Sequence, residues 1–582
     1  MIRGKSGRTH KFSESPVLKL ALPAWRSRLL TLVLLGCLGL LVGRSVYLQI
    51  LNTDFLQEKG ESRYRRDLEI SASRGKVTDR NGDVLAISTP MKSIWAIPVD
   101  AKLTAQQSQQ LAKVLDTEPK ELARKLASDK GFVYLQRQVS PEVADRVVAL
   151  KLPGIHQNKE YRRYYPTGDM TAHMVGFTGV DDKGLEGVEL AFEKSLIGHA
   201  GSRSVIRDRK GQIVEDVGSI KPPQDGKDVR LALDSKIQYL AYSLLKQAVA
   251  DNKAKAGGAV VIDAKTGEIL ALANWPTYNP NNREHLSGGQ LRNRAVTDTF
   301  EPGSTLKPFT AALALEKGKF RFDSVINCAP GKLTIGNATI SDAHPHGALT
   351  VAQVIQKSSN VGAAKMAATF APQEMWEMFD AVGFGRTSQL GFPGEVSGRL
   401  RAWKGWRPIE QATMSYGHGI SVSLMQLARA YSVFARDGEL LPISLTRVED
   451  GPVVGVPVFS TQTAREVRAM LEMAAGPGGT APKAQVPGYR VAGKTGTAHK
   501  LEGGLYANKY ISSFVGFAPV SDPRLIVAVM IDEPSGGKHY GGDVAAPVFS
   551  AVTAGALRTL GIAPDAQMTV ANAPQTPPKE KL

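Results

Sequence analysis

The run LLTLVLLGCLGLLVG, Leu29–Gly43, is apolar without interruption, and SVYLQIL continues it beyond Arg44 to Leu51. With its flanks it reaches roughly 20 residues, enough to cross a bilayer as one helix. Upstream stand Arg3, Lys5, Arg8, Lys11, Lys19, Arg26 and Arg28 against the single acid Glu14. That asymmetry holds the N-terminus on the cytoplasmic side and sends the remainder across. A cleaved signal peptide is the rival reading. No Ala-x-Ala-like site follows the apolar core, so an uncleaved anchor over 29–51 is expected, behind a basic cytoplasmic tail of residues 1–28.

At 582 residues the chain is longer than one core usually serves, so two or more exported domains are expected. The net charge of +17 raises nucleic acid or an anionic surface as partners. The Lys and Arg residues are scattered, however, and no RNP, zinc-finger or zipper pattern accompanies them, so no nucleic acid is expected. Cys37 lies in the apolar run and Cys328 far from it, which gives no disulfide framework. His344 and His346 alone do not make a metal site, and neither a metal nor a cofactor is expected.

Residues 52–225 mix short strand-like runs with charged helical ones. Ser93–Asp100 reads as a strand and Pro119–Gly131 as a helix. A Pro/Gly-rich boundary falls near Asp225–Asp228. Nothing before it combines a nucleophile with a base, so it reads as a supporting pedestal. From residue 226 to 564 the pattern changes. Ser235–Asn252 is an amphipathic helix opened by an Asp/Ser cap. Two strands, GGAVVIDA and GEILALAN, follow with a tight turn at Lys265–Gly267. Helical stretches at Ser304–Lys317 and Leu424–Arg436 fill the middle. YRVAGKTGT, ISSFVGFAP and RLIVAVMID supply three late strands before the helix Ala546–Leu560. The class is therefore α+β, with a five-stranded sheet assembled from both ends of the domain. The Pro/Ala/Gln-rich tail 565–582 reads as disordered.

Gly488-x-x-x-x-Gly493-Lys494-Thr495 matches the P-loop of nucleotide hydrolases. A P-loop needs a strand before it and a helix opening at its Lys-Thr. GGTAPKAQVPG before it is a poor strand, the alternation of Tyr489 and Val491 puts a strand inside it, and the glycine-rich sequence after Thr495 has no helical period. Lys-Thr-Gly on a strand edge instead presents a cation, a hydroxyl and an approachable backbone to a peptide-like anion. That points to serine acyl transfer by a set Ser-x-x-Lys, Ser-x-Asn and Lys-Thr-Gly. Ser-x-x-Lys alone is common, at Ser73, Ser243, Ser304 and Ser535. Only Ser304 follows Pro-Gly at a helix start, with Lys307 one turn on and within reach as a base. An N-cap serine beside a solvated lysine explains that motif alone equally well. Ser358-Ser359-Asn360 follows 54 positions later and Lys494-Thr495-Gly496 comes last, so the ordered set is met once. The earlier Lys265-Thr266-Gly267 precedes the serine and reads as a hairpin turn.

These residues resemble the high-molecular-weight class B penicillin-binding proteins, and within them the division-specific peptidoglycan D,D-transpeptidases. SRGKVTDRNGDVLA, RYYPTGDMTAHMVGFTGVDDKGLEGVE, YNPNN, FEPGSTLKPF, QKSSNVG and KHYGGDVAAPVF carry the likeness. It runs from the anchor to about Pro564. One departure is YGHGISVSLMQLA, where Ser423 and Leu424 replace the family's Thr-Pro. The resemblance implies an elongated mixed pedestal and a β-lactamase/transpeptidase-like domain with a mainly antiparallel sheet. It implies that Ser304 attacks the penultimate D-Ala carbonyl of a stem pentapeptide, with Lys307 as base. By the same likeness Ser358 relays a proton to the leaving nitrogen, Asn360 holds the peptide amide, and Lys494 binds the carboxylate and depresses the Lys307 pKa. Thr495, Gly496 and Thr497 belong to the substrate-binding strand, with backbone N–H groups at Ser304 and Thr497 as oxyanion hole. Implied partners are the lipid II-derived stem peptide, β-lactams as covalent inhibitors, the membrane, and a glycan polymerase of the FtsW type with other division proteins. The implied setting is the bacterial inner membrane at the septum. A D,D-carboxypeptidase and a non-catalytic membrane-bound β-lactam receptor are the alternatives.

Overall fold

Leucine-rich sequence with few helix breakers winds Ala24–Val46 into a continuous helix, followed by a π-helical turn at Tyr47–Leu51. It starts five residues before the expected anchor because Trp25, Arg26 and Arg28 are helix-compatible. In this computed structural model the described residues are 23–53, 65–207, 213–216, 221–449 and 453–566. The segment Ala24–Ile50, of mean hydropathy 2.1, is one helix long and apolar enough to cross a membrane, and none of it is buried. That is consistent with a single-pass anchor. The basic residues Arg3 to Lys19 and the expected disordered tail beyond residue 566 lie outside the described residues.

The chain packs as two units. One comprises residues up to Ile70 together with Ala200–Pro222. Besides the apolar helix it holds an antiparallel sheet in the order Arg65–Ile70, Gly201–Arg207, Ile213–Asp216. The other comprises Ser71–His199 and the chain from Pro223 onward.

In the second unit, Val84–Ala96 pairs antiparallel with Val133–Val139 and with Ile155–Tyr164. Helices Ala105–Val114, Pro119–Leu126 and Pro141–Ala149 contribute Leu111, Leu122 and Val147 to a core shared with Ile94 and Leu135 of the sheet. The strand expected over Ser93–Asp100 is thus longer at its start and ends at Ala96. Pro98 has no N–H for a ladder, and the chain turns there. The helix expected over Pro119–Gly131 stops at Leu126.

A buried ion cluster ties three distant segments together. The Glu189 carboxylate accepts from Arg74 Nε at 2.6 Å and Arg163 Nε at 2.7 Å, and all three side chains are at most 1% exposed. Arg74 also reaches Glu193 at 2.7 Å. The carboxylate, backbone carbonyls and the Ser88 hydroxyl accept from the two buried guanidiniums, while Arg163 Nη2 is left without a partner.

The larger sheet uses β1 (Ala256–Asp263), β2 (Ile269–Trp275), β3 (Ala492–Glu502), β4 (Leu505–Ala518) and β5 (Leu525–Asp532). Its order is β2-β1-β5-β4-β3, antiparallel throughout. β1 and β5 are buried at every residue, which explains their near-continuous apolar sequence. Ala259, Val261, Val527 and Val529 face a core shared with helices Ser235–Asp251 and Ala546–Thr559. Val260, Ile262, Ala528 and Met530 face the opposite core, which contains Phe309 and Leu313. Asp234 caps the first helix by accepting from Lys236 and Ile237 N–H.

Lys265-Thr266-Gly267 is the hairpin turn between β1 and β2. Gly267 has φ +74°, and a Cβ there would sit 1.9 Å from Pro442 O. Two expectations need correction. Tyr489 and Val491 precede β3 rather than alternating within it; they are held by burial, and the Tyr489 hydroxyl donates to Ile562 O at 2.5 Å. The helix expected over Leu424–Arg436 is two pieces, Leu424–Ala430 and Ser432–Ala435. Gly493–Thr495 lie inside β3 with no helix opening at Lys494, so the P-loop match lacks its structural context.

Replacing Glu189 by Gln leaves two buried guanidiniums without their carboxylate. The expected loss is about 3–5 kcal/mol of unfolding free energy, read by denaturant titration of the full chain. A change within the range of ordinary surface substitutions would contradict the assigned role.

Candidate active site

The nucleophile candidate sits on a turn that glycine makes possible. Gly303 has φ +57°, and a Cβ on it would lie 3.2 Å from Thr497 O. The 3-10 turn Gly303–Leu306 runs directly into helix α1 (Lys307–Glu316), with Pro308 in its first turn where no hydrogen bond is lost. Ser304 and Lys307 therefore share one face. Lys307 is fully buried, and its Nζ donates to Ser304 Oγ at 3.0 Å, Ser358 Oγ at 3.1 Å and Ser358 O at 2.5 Å.

Ser358 occupies the left-handed region, φ +62°, between helices α2 (Val351–Lys357) and α3 (Asn360–Ala367). An L side chain at this φ is strained, and the surrounding bonds hold it. Ser359 caps α3, accepting from Gly362 N at 2.9 Å and donating to Asp342 Oδ2 at 2.8 Å. Asp342 Oδ1 accepts from Asn360 N at 2.5 Å and Val361 N at 3.0 Å, an anion on a helix N-terminus. Asn360 Nδ2 donates to Ser341 O at 2.8 Å.

β3 is an edge strand and lies against the nucleophile turn. Gly496 is required for that approach: a Cβ would meet Ser513 Oγ at 2.4 Å and Pro302 O at 2.7 Å. Lys494 is fully buried, its Nζ donating to Thr495 Oγ1 at 3.2 Å and to Thr480 Oγ1 and Thr495 O at 3.4 Å. Thr495 Oγ1 is 3.0 Å from Thr480 Oγ1, and Thr497 Oγ1 accepts from Gly541 N at 3.0 Å.

Neither lysine has a carboxylate among its hydrogen-bond partners, and burial is the largest influence on both. Burial pushes the Lys307 ammonium well below its usual range, and Lys494 adds to the effect while Asp342 opposes it. Burial brings Lys494 down to about 7. His418 falls to about 4 through burial and then the nearby Lys307. The Tyr416 ring centroid lies 6.0 Å from Lys307 Nζ. Ser304, Lys307 and Ser358 are thus in direct contact, Asn360 opens the helix beside them, and Lys494–Thr497 form the opposing edge.

The other Ser-x-x-Lys copies are not so built. Ser243 and Lys246 lie in the helix Ser235–Asp251, with Lys246 Nζ over the Trp275 ring at 4.9 Å. Ser535 donates to Lys253 O at 2.6 Å. Among the described residues no cluster of His, Cys, Asp or Glu could hold a metal ion. Ser423 takes over the family's Thr position as a helix cap, in a reciprocal pair with Gln426 (2.7 and 3.1 Å). Sequence reasoning did not find Asp342 or Thr480. Both act only through tertiary proximity, although an acid upstream of an uncharged helix start was a usable signal for Asp342.

A family model for the penicillin binding protein transpeptidase domain matches residues 257–554, and one for the penicillin-binding protein dimerisation domain matches 69–231. The chain is 47% identical to the probable peptidoglycan D,D-transpeptidase PenA of Neisseria gonorrhoeae, covering 93% of each. It is 44% identical to the peptidoglycan D,D-transpeptidase FtsI of Escherichia coli, covering 94% of each. Among solved structures, a peptidoglycan synthetase from Bifidobacterium adolescentis aligns with TM-score 0.70 at 26% identity, over 87% of this chain and 98% of that one. The transpeptidase domain of penicillin-binding protein 3 from Burkholderia pseudomallei aligns with TM-score 0.54 at 51% identity, over 58% of this chain and 98% of that one. The fold and these matches define a serine acyl-transferase of the transpeptidase type. The chain belongs to the penicillin-binding protein family, with its transpeptidase and dimerisation domains both present.

The depressed Lys494 has a consequence for stability. Its folded pKa, about 7, lies below the unfolded value near 10.4, so unfolding takes up a proton between them. Its contribution is complete above the unfolded value and is lost as pH falls toward 7. The unfolding free energy of the parent relative to Lys494→Met should therefore rise with pH from about 7 to about 10. A flat difference across that window would rule out the depressed lysine.

Proposed function

We propose that this chain is a peptidoglycan D,D-transpeptidase that cross-links stem peptides of the septal wall through an acyl-enzyme at Ser304. The observation that carries the reading is the placement of one buried amine, with no carboxylate among its hydrogen-bond partners, within 3.1 Å of two serine hydroxyls. Ser304 Oγ attacks the penultimate D-Ala carbonyl and gives its proton to neutral Lys307. The Ser304 Oγ–C bond forms, the C–N bond to the terminal D-Ala breaks, and the proton passes by way of Ser358 to the leaving nitrogen. The amine of a second stem then takes the acyl group, and Ser304 regains its proton.

Substrate binding follows from the edge strand. A peptide laid against Thr495–Thr497 finds the free backbone groups of an unpaired edge, with the Lys494 charge for its terminal carboxylate. Asn360 stands at the start of α3 to hold the peptide amide. N–H groups at Ser304 and Thr497, brought together by Gly303 and Gly496, suit an oxyanion. A β-lactam presents the same carbonyl and carboxylate and acylates the same serine. We assign residues 1–28 to a cytoplasmic tail, 29–51 to the anchor, 52–225 to the pedestal and 226–564 to the catalytic domain. The inner membrane, the periplasmic side, the septum and a glycan polymerase of the FtsW type complete the setting, supported by the basic N-terminal flank and the relatives.

Labelled penicillin should form a covalent adduct that maps to Ser304 and vanishes in Ser304→Ala; labelling that persists would sink the assignment. With a lipid-linked pentapeptide and its glycan polymerase, cross-linked dimers are expected, whereas free D-Ala without dimers would indicate a carboxypeptidase. Lys307→Arg keeps a cation but cannot accept the proton at accessible pH. Acylation by penicillin should fall about 10²–10⁴-fold, without recovery as the pH is raised. A rate near the parent's would remove Lys307 from the base role.

A further inference from the structure

The segment that carries the nucleophile is laced to a neighbouring loop before it reaches Ser304. Phe300 and Val422 exchange backbone hydrogen bonds of 3.0 Å, and Gly303 N donates to Gly417 O at 3.2 Å. Gly417 has φ +87°, and a Cβ on it would lie 2.2 Å from Gly303 O. Glycine is what lets the two segments run this close. Glu301 stands between these contacts, half-buried, and its Oε1 accepts from Gly419 N at 2.7 Å. A side chain three residues before the nucleophile thus holds the middle of the loop beside it.

A third element ends on the same carboxylate. β5 pairs with β4 only from Ile511 onward, so the outer parts of β3 and β4 form a two-stranded hairpin, with exposed Leu501, Leu505 and Tyr506 near its tip. Its base is held to the end of β5, where Lys500 reaches Asp532 at 2.7 Å and Glu533 at 2.6 Å. Its tip is held elsewhere: the Tyr506 hydroxyl donates to Glu301, 3.1 Å from Oε2 and 3.3 Å from Oε1. Among the described residues, 501–508 make no other hydrogen bond or ion pair outside the hairpin. Tyr506 pairs with Leu501, four residues along β3 from Thr497. Its ring centroid lies 6.1 Å from that of His418, and His418 lies 5.2 Å from Tyr416, the ring beside Lys307.

We propose that Glu301 and Tyr506 are a positioning pair for acylation, whose hydrogen bond fixes the outer end of β3 against the turn that carries Ser304. The inference rests on the acyl-enzyme reading of Ser304 and adds two residues that do not touch the reacting atoms. β3 already meets the nucleophile turn at its inner part, where Gly303 lies against Thr497 O. The Tyr506 bond is a second fixed point further out. One point of contact leaves an edge strand free to splay; two fix its angle. That angle decides how Thr495–Thr497 stand across from Ser304, and small misplacement of reacting groups costs rate steeply. The bond is partly open to water, so its loss costs a moderate factor and not the activity itself.

The test measures the second-order rate constant for acylation by labelled penicillin, on the full chain in nanodiscs, with final labelling giving the active fraction of each variant. Tyr506→Phe removes only the hydroxyl and should slow acylation about threefold to tenfold, the range of one hydrogen bond. Glu301→Ala removes the Gly419 bond as well and should lose at least as much. Glu301→Gln keeps an acceptor for Gly419 and a partner for the Tyr506 hydroxyl, and should return the rate to within about twofold of the parent. The double variant Glu301→Ala with Tyr506→Phe should be no slower than Glu301→Ala alone. Lys509→Met breaks a surface ion pair of the same hairpin and should stay within about twofold of the parent. The proposal is overturned by a parental rate in Tyr506→Phe, by additive losses in the double variant, by Glu301→Gln as slow as Glu301→Ala, or by an equal loss in Lys509→Met. Absence of a Ser304 adduct in the parent would instead remove the acyl-enzyme reading, and the inference with it.

Discussion

Lys307 is buried with only hydroxyl and carbonyl oxygens around its nitrogen, and much of the catalytic domain is arranged about that fact. An ammonium in such a place is disfavoured, so burial shifts the balance toward the neutral amine. Three separate devices hold its surroundings: the Gly303 turn, the left-handed Ser358, and a buried second lysine on β3. Each is costly alone. Gly303 and Gly496 give up side-chain packing, Ser358 is strained, and Lys494 is desolvated. They persist because helices and sheet on both sides over-determine them.

The edge position of β3 is equally consequential. A strand inside the sheet would have both sets of backbone groups committed, and no peptide could add to it. At the edge, Thr495 and Thr497 remain approachable, while Thr480 and Gly541 fix their hydroxyls from the side. Glycine at 496 lets this edge close on Pro302 without a Cβ in the way. The approach of the β3 edge and the placement of the Ser304 turn are therefore set by the same contact.

Much of this was legible in the residues. The order of Ser304, Ser358 with Asn360, and Lys494 was readable because each motif has a distinct secondary-structure context. The fully buried β1 and β5 announced themselves as apolar runs, and Lys265–Gly267 as a turn. The remaining details depended on tertiary contact. Asp342 holds α3 from 18 positions before Asn360, and no periodicity signals that pairing. Tyr489 and Val491 alternate like strand residues, yet burial before β3 satisfies the same pattern. The strand over Val84–Ala96 was cut short at its start because Thr89, Pro90 and Lys92 interrupt the apolar signal, although pairing with Ile155–Tyr164 runs through them. Local pattern picked out residues that the fold brings together; long-range pairing set the boundaries.

The pairing of β1 with β5 joins Asp263 to Leu525, across about 260 residues of chain. A ribosome-fed polypeptide releases its early segments first. Val260, Val261 and Ile262 must therefore wait, uncovered on their β5 side, until nearly the whole domain has emerged. High contact order of this kind slows folding and exposes an unpaired apolar edge meanwhile. The period of greatest vulnerability for this enzyme thus comes before its sheet closes, and its last 40 or so described residues, from β5 onward, act as the clasp.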